Sequence, residues 1–117
     1  MIKRTLPDIT RQAQERIAQI HQELSAFDYV CSGTLLKRMK TCGKPNCCCA
    51  QDPAARHGPY YEWSHLREGK LLHRTLSPKQ AVILRQALAN RRRLKRLMRT
   101  WEDETERLLE ALADLDD

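Results

Sequence analysis

The spacing of apolar residues divides the chain into three regions, and the first is helical. Between residues 8 and 27, apolar side chains recur every three or four positions, which places them on one face of a helix. They are Ile9, Ala13, Ile17, Ile20, Leu24 and Phe27. Pro7 and Asp8 suit the start of a helix. The pattern therefore predicts an N-terminal helix over residues 8–27.

The second region, residues 29–76, lacks this helical spacing and has the composition of a small sheet. Thr34 to Lys40 has β character, Tyr60 to Leu66 is aromatic and strand-like, and Leu71 to Leu76 follows as a return strand. The intervening Arg67-Glu68-Gly69-Lys70 is typical of a hairpin turn, with Gly69 in the left-handed conformation. We expect an antiparallel sheet of three strands.

The third region is a long helix predicted over residues 78–116. Ser77 suits the N-cap and Pro78 the first helical position, and neither Gly nor Pro occurs after Pro78. Positions separated alternately by three and four residues form a heptad seam with two polar interruptions. They are Leu84, Ala87, Arg91, Leu94, Met98, Trp101, Thr105, Leu108, Leu112 and Leu115. Such a helix must pack against the first helix, a second copy or another protein.

These elements predict an α+β fold in one domain covering residues 1–117. The small three-stranded sheet would carry a zinc knuckle, with the N-terminal helix and a coiled-coil-like C-terminal helix on either side in the sequence. A chain of 117 residues buries a modest core, so it often depends on a metal, a partner or a second copy for stability.

The net charge of +6 is distributed unevenly along the chain. Residues 1–99 carry 20 Lys or Arg against 7 Asp or Glu, a net charge of +13. Residues 100–117 carry Arg107 against eight acidic residues, a net charge of −7. A basic body with an acidic tail indicates a polyanionic partner.

No apolar stretch has the length of a signal peptide or of a membrane span. We therefore expect a cytoplasmic protein with no membrane partner. Because cysteines in the cytosol are kept reduced, a cluster of them favours metal binding over disulfides.

Such a cluster lies between Cys42 and Cys49, with His57 eight residues later. Zinc prefers four thiolate or imidazole ligands in a tetrahedron, and Cys42, Cys47, Cys49 and His57 supply such a set. Alternation along an extended chain would place Cys47 and Cys49 on one side and Cys48 on the other. The sequence therefore predicts a structural Zn²⁺ site, with Cys48 as a bystander and Cys31 as a reserve ligand.

Two other interpretations of the cysteines stay open at this stage. The thiols could fill a small core in reduced form, or an iron–sulfur cluster could use Cys31 together with Cys42, Cys47 and Cys49. An enzyme is disfavoured, because a catalytic zinc needs an open position and a nearby general base. We predict no catalytic residues and no small-molecule substrate.

The motifs also resemble a known family. Cys42-Gly43-Lys44-Pro45-Asn46-Cys47-x-Cys49-Ala50, followed by His57-Gly58-Pro59-Tyr60, is similar to a pattern in an uncharacterised family of short prokaryotic proteins. Members of that family lie near mobile-element genes, often transposases. The resemblance supports the same four metal ligands and departs at Cys48, where the family tends to have a basic residue.

The sequence also contains two groups of basic residues, and phosphates neutralise clustered positive charges well. An alternative that stays open for the run on the long helix is a solvated face, paired with Glu102 to Glu106 or with acidic residues of a partner helix. The predicted nucleic-acid contacts are Lys37, Arg38, Lys40, Lys44, Tyr61, Arg91, Arg92, Arg93, Lys95, Arg96 and Arg99. We therefore expect a zinc-stabilised nucleic-acid-binding accessory protein, with DNA favoured over RNA, associated with a transposase or similar mobile element. The alternative is a coiled-coil adaptor that binds a second copy or a partner protein through the long helix, with a purely structural zinc.

Overall fold

The fold was described from a computed structural model, which defines residues 6–113. It contains the predicted N-terminal helix, three-stranded antiparallel sheet and long C-terminal helix. The elements are α1 (Leu6–Leu24), β1 (Thr34–Lys40), β2 (His57–Arg67), β3 (Lys70–Leu76) and α2 (Pro78–Ala113). Two short 3₁₀ turns, Cys48–Ala50 and Pro53–Ala55, lie between β1 and β2. The prediction of an α+β fold is confirmed.

The helix ends are set by local hydrogen bonds. Before α2, the Gln80 amide donates to Ser77 Oγ at 3.1 Å and the Ser77 amide donates to Gln80 Oε1 at 2.8 Å, which forms a capping box. After α1, the Phe27 amide donates to the Leu24 carbonyl at 3.2 Å, so the predicted last turn to residue 27 is a tighter turn outside the α-helix. The predicted end of α2, including Leu115, lies outside the described residues.

The strands follow one another in the order β1-β2-β3, and both pairs are antiparallel. Trp63 on β2 lies opposite Leu35 on β1 and Arg74 on β3. In the hairpin between β2 and β3, Gly69 has a φ of +78°, as predicted, and Glu68 has a φ of +52°. Two consecutive positive φ values characterise the tight hairpin turns that match strand twist.

The chain forms two compact units. The sheet unit runs from Tyr29 to Arg91 and contains the three strands and the first part of α2. Its buried apolar residues include Leu76, Leu84 and Ala87. The prediction that residues 1–117 form a single domain stays a prediction.

The helical unit combines α1 with the part of α2 that begins at Arg92. Arg107 Nη2 donates to Gln12 Oε1 at 3.0 Å, and the ring of His21 meets that of Trp101 edge-on at a centroid distance of 4.8 Å. Gln12 near the start of α1 meets Arg107, and His21 near its end meets the earlier residue Trp101, so the two helices run antiparallel. Ala13 is fully buried in this unit.

Candidate metal centre

The predicted ligands are positioned by a loop that leaves β1 and returns at the start of β2. The Cys47 amide donates to the Lys44 carbonyl at 3.2 Å, which closes a turn with Pro45 at its second position. Proline favours that position because its fixed φ suits the turn. Cys47 then precedes the 3₁₀ turn Cys48–Ala50, and His57 is the first residue of β2.

Local folding brings all four predicted ligands together. The ligand atoms of Cys42, Cys47, Cys49 and His57 lie within 4.8 Å of one another, and the group could hold a metal ion. Cys42 Sγ lies 3.5 Å from Cys49 Sγ, and Cys47 Sγ lies 3.2 Å from His57 Nε2. The 3.5 Å sulfur separation is far longer than an S–S bond, and all five cysteines are free.

These separations are close to the edges of a zinc tetrahedron. Zinc bonds of about 2.3 Å to sulfur and about 2.0 Å to nitrogen imply ligand-to-ligand distances of roughly 3.5–3.8 Å at tetrahedral angles. Two of the six spacings, 3.5 and 3.2 Å, need only small adjustments to match them, and a separation as wide as 4.8 Å would have to close by about 1 Å around an ion. The Cys42 amide also donates to Cys49 Sγ at 3.4 Å, the kind of backbone contact that supports a metal-bound thiolate.

The other two cysteines are placed differently. Cys48 is exposed and is not in the ligand group. Cys31 is also outside the group, and its thiol faces the Ser32 carbonyl at 3.7 Å. The arrangement therefore favours three cysteines and one histidine over a cluster with Cys31 as a ligand.

The prediction that Cys47 to Cys49 is extended is wrong, although Cys47 and Cys49 are both in the ligand group. Cys48–Ala50 is a 3₁₀ turn rather than an extended segment, so strict alternation of side chains does not apply there. The turn instead buries Cys49, which is 2% exposed, and leaves Cys48 outside.

Hydrogen bonds and burial shift the pKa values of two of the thiols in opposite directions. A backbone hydrogen bond from Cys49, with side-chain bonds from Cys49 and Cys42, lowers the pKa of the Cys47 thiol. At Cys49 the backbone hydrogen bond from Cys42 favours the thiolate, but burial and the neighbouring sulfurs of Cys47 and Cys42 together raise its pKa to about 11. Cys47 therefore ionises before Cys49, and a bound cation would have to displace the proton of Cys49.

Of the predicted basic residues near the knuckle, two are engaged by one carboxylate. Glu62 on β2 binds Lys40, and it also binds Arg38, whose Nη1 lies 3.3 Å from Glu62 Oε2. The hydrogen bond from Lys40, followed by the charges of Lys40 and Arg38, lowers the pKa of Glu62. Lys37 lies opposite Tyr61 in the register, and Lys44 is exposed in the metal loop. Sequence reasoning missed the role of Glu62, which only the strand register reveals.

The predicted basic residues on α2 fall into three groups, of which the first is Arg91, a half-buried residue of the sheet unit. Arg93 lies 3.6 Å from Glu23 and 5.6 Å from the centre of the Phe27 ring, so its charge is partly used inside the helical unit. Four others are exposed and form no ion pair with any residue between 6 and 113. These are Arg92, Lys95, Arg96 and Arg99, whose spacing places them on one face of the helix.

Together, the fold and the loop define a small α+β protein with a Cys₃His cluster beside its sheet. The chain belongs to the family described as Domain of unknown function (DUF6788), whose model matches residues 9–86. The matched segment contains the four candidate ligands but ends before the basic residues 91–99. It also includes α1, which lies before the motifs that carry the resemblance in the sequence. No curated protein and no solved structure matches the chain.

Within residues 6–113, no helix combines the length and the apolar character needed to cross a membrane.

Proposed function

We propose that this protein is a nucleic-acid-binding module whose sheet unit is stabilised by a structural zinc ion. The observation that carries the proposal is the face of α2 formed by Arg92, Lys95, Arg96 and Arg99. These four exposed cations have no acidic partner among residues 6–113 and repel one another, and phosphate groups would relieve that repulsion with release of counterions.

A structural role for the metal is supported by the number of protein ligands. Three thiols and one imidazole fill a tetrahedral coordination sphere, so no position remains for a substrate or an activated water. We therefore assign the protein a binding role rather than catalysis. Zn²⁺ is proposed as the metal because it suits a mixed sulfur and nitrogen set in tetrahedral geometry.

The loop that holds the ligands supplies further candidate contacts. Lys44 is exposed within that loop, and Lys37 and Tyr61 lie side by side on β1 and β2. An aromatic ring next to a cation can stack on a base while the cation meets a phosphate. Arg38 and Lys40 would contribute less, because Glu62 already neutralises part of their charge.

The finer parts of the proposal follow from the sequence resemblance. They are a preference for DNA over RNA and a role as an accessory to a transposase or a similar mobile-element activity. Contacts to phosphate position a protein without conferring sequence specificity, so no base preference is assigned.

The test is a mobility-shift assay with the zinc-loaded full chain on duplex DNA, single-stranded DNA and RNA. We expect binding at low salt that weakens steeply as salt rises. The double variant Arg92→Glu/Arg96→Glu should bind more weakly and lower the magnitude of the salt slope by about two.

The matched control is Arg67→Glu/Arg85→Glu, which makes the same change in net charge at exposed residues outside the predicted contacts. It should bind almost as well as the unmodified protein. Absence of binding to all three nucleic acids at low salt would refute the proposal. Equal losses in the two double variants would refute the assignment of the α2 face.

The adaptor function is a second candidate, and one feature of α2 supports it. Met98, Leu109 and Leu112 leave between 45% and 65% of their surface exposed on the helix. Exposed apolar side chains on one face of a helix are typical of surfaces that bind another helix.

A further inference from the structure

The helical unit contains an open apolar groove between its two helices. Its volume is about 560 Å³. Ile20 and Leu24 line it from α1, and Leu94, Met98, Trp101 and Leu109 line it from α2. Met98 is 49% exposed and Leu109 is 65% exposed, so the groove presents large apolar side chains to solvent.

Four charged residues of α2 are arranged along the sequence so that two basic and two acidic residues lie at equal distances from one central peptide. Lys95 and Arg99 precede the Thr100–Trp101 peptide, while Glu102 and Glu106 follow it at matching distances along the sequence. Glu102 and Glu106 themselves line the groove. None of these four side chains forms an ion pair inside the described part of the chain.

We propose that the groove is the interface of an antiparallel homodimer, in which α2 of a second copy packs along α2 of the first. A two-fold axis near the Thr100–Trp101 peptide would place Lys95 of each copy beside Glu106 of the other. The same axis would place Arg99 beside Glu102. Both the apolar seam and the flanking charges are then self-complementary, as a two-fold interface requires.

Charge pairing selects the antiparallel orientation over the parallel one. A parallel pair in register would oppose Lys95 to Lys95 and Glu106 to Glu106, and like charges across an interface are unfavourable. The antiparallel pair converts the same four positions into four ion pairs around one apolar seam. In this dimer Lys95 and Arg99 pair with glutamates of the other copy, so Arg92 and Arg96 are the cations of the α2 face that stay available to phosphate. The dimer itself does not depend on the proposed nucleic-acid role.

The first test measures the mass of the zinc-loaded full chain by light scattering and sedimentation equilibrium, without nucleic acid. We expect twice the chain mass of 13.7 kDa. Leu109→Asp should shift the protein to the monomer, because it places a charge in the apolar seam. Val82→Asp is the matched control, since Val82 is an apolar residue of the same helix, is 60% exposed and lies outside the groove.

The second test determines the orientation by zero-length carbodiimide coupling of Lys95 to Glu106. Within one helix these residues are separated by roughly 16 Å along the axis, so a direct amide between them must join two copies. Peptide mass spectrometry should find this link in the covalent dimer. The double reversal Lys95→Glu/Arg99→Glu should abolish the dimer, and adding Glu102→Lys/Glu106→Lys should restore it.

A chain that stays monomeric at all accessible concentrations would overturn the proposal and leave the groove to a different partner. A dimer that is insensitive to Leu109→Asp, or that lacks the Lys95–Glu106 link, would also overturn it. Far-UV circular dichroism of each variant identifies any loss of dimer that results from unfolding.

Discussion

Cys49 is the one buried side chain in the loop between Thr41 and Arg56. Its sulfur accepts the Cys42 amide and lies against Cys42 Sγ, while Cys47 and His57 complete the group. A loop with so little apolar burial has no hydrophobic core of its own to hold it. A metal bound to the four ligands would supply that missing constraint, because structural zinc binding contributes directly to folding.

The ligand assignment predicts opposite outcomes for two neighbouring cysteines. Cys42→Ser should prevent stoichiometric zinc binding and destabilise the sheet unit, because it removes one of four ligands. Cys48→Ser should retain the metal and change the free energy of unfolding by less than about 0.5 kcal/mol, since Cys48 is exposed. Metal analysis and cobalt absorption spectra of both variants check this. Equal metal content in the two proteins would contradict the assignment.

The ligand set could be predicted from sequence because its residue types and turn formers lie within sixteen positions, from Cys42 to His57. The ion pairs of Glu62 with Arg38 and Lys40 could not be predicted in the same way. They depend on the register that places Leu36 opposite Glu62, and on the irregularity between Arg38 and Lys40. Local patterns indicate a strand but do not fix its register with a distant one.

At the scale of the elements, the segment just before β1 packs closely against β2. Trp63 Nε1 donates to the Ser32 carbonyl at 2.9 Å. Gly33 lies beside this bond with a φ of +120°, a conformation that residues with a side chain rarely adopt. A Cβ at Gly33 would clash with the Ser64 carbonyl oxygen and lie 2.5 Å from Trp63 Nε1. The absence of a side chain at this position therefore permits the contact.

Gly33→Ala should consequently lower the free energy of unfolding by about 2–4 kcal/mol, from backbone strain and crowding together. Gly69→Ala is the matched comparison. Gly69 also has a positive φ, but a Cβ there would meet nothing within 4 Å, so strain alone should cost about 1 kcal/mol. Chemical denaturation of the two variants measures the difference. A Gly33 variant as stable as the Gly69 variant would show that the close approach does not constrain the sheet.

Elements with clear capping signals were predicted well, and those without them less well. Ser77, Pro78 and Gln80 define the start of α2, and their hydrogen bonds confirm it. The predicted helix to residue 27 has no comparable stop signal in its sequence, and α1 ends at Leu24. In the hairpin, the positive φ of Gly69 was predicted. The positive φ of Glu68 was not, because glutamate is not one of the residue types that usually adopt this conformation.

For the whole molecule, the sequence indicated the distribution of charge but not which charges stay available. Arg93 is engaged by Glu23, and Arg38 and Lys40 by Glu62, whereas Arg92 and Arg96 have no such partners among residues 6–113. The spacing of apolar residues along the chain could not by itself predict the groove. Its walls come from Ile20 and Leu24 on α1 and from residues more than sixty positions later on α2.

The most direct test of the account is the metal content of the reduced, purified protein, measured together with its fold before and after chelation. We predict one zinc ion per chain and a loss of ordered β structure when a chelator removes it, with recovery when zinc is returned. Near-UV circular dichroism reports this change, because Tyr61 and Trp63 lie on β2. A fully ordered protein that contains no metal, and takes up none when zinc is supplied, would contradict the central claim.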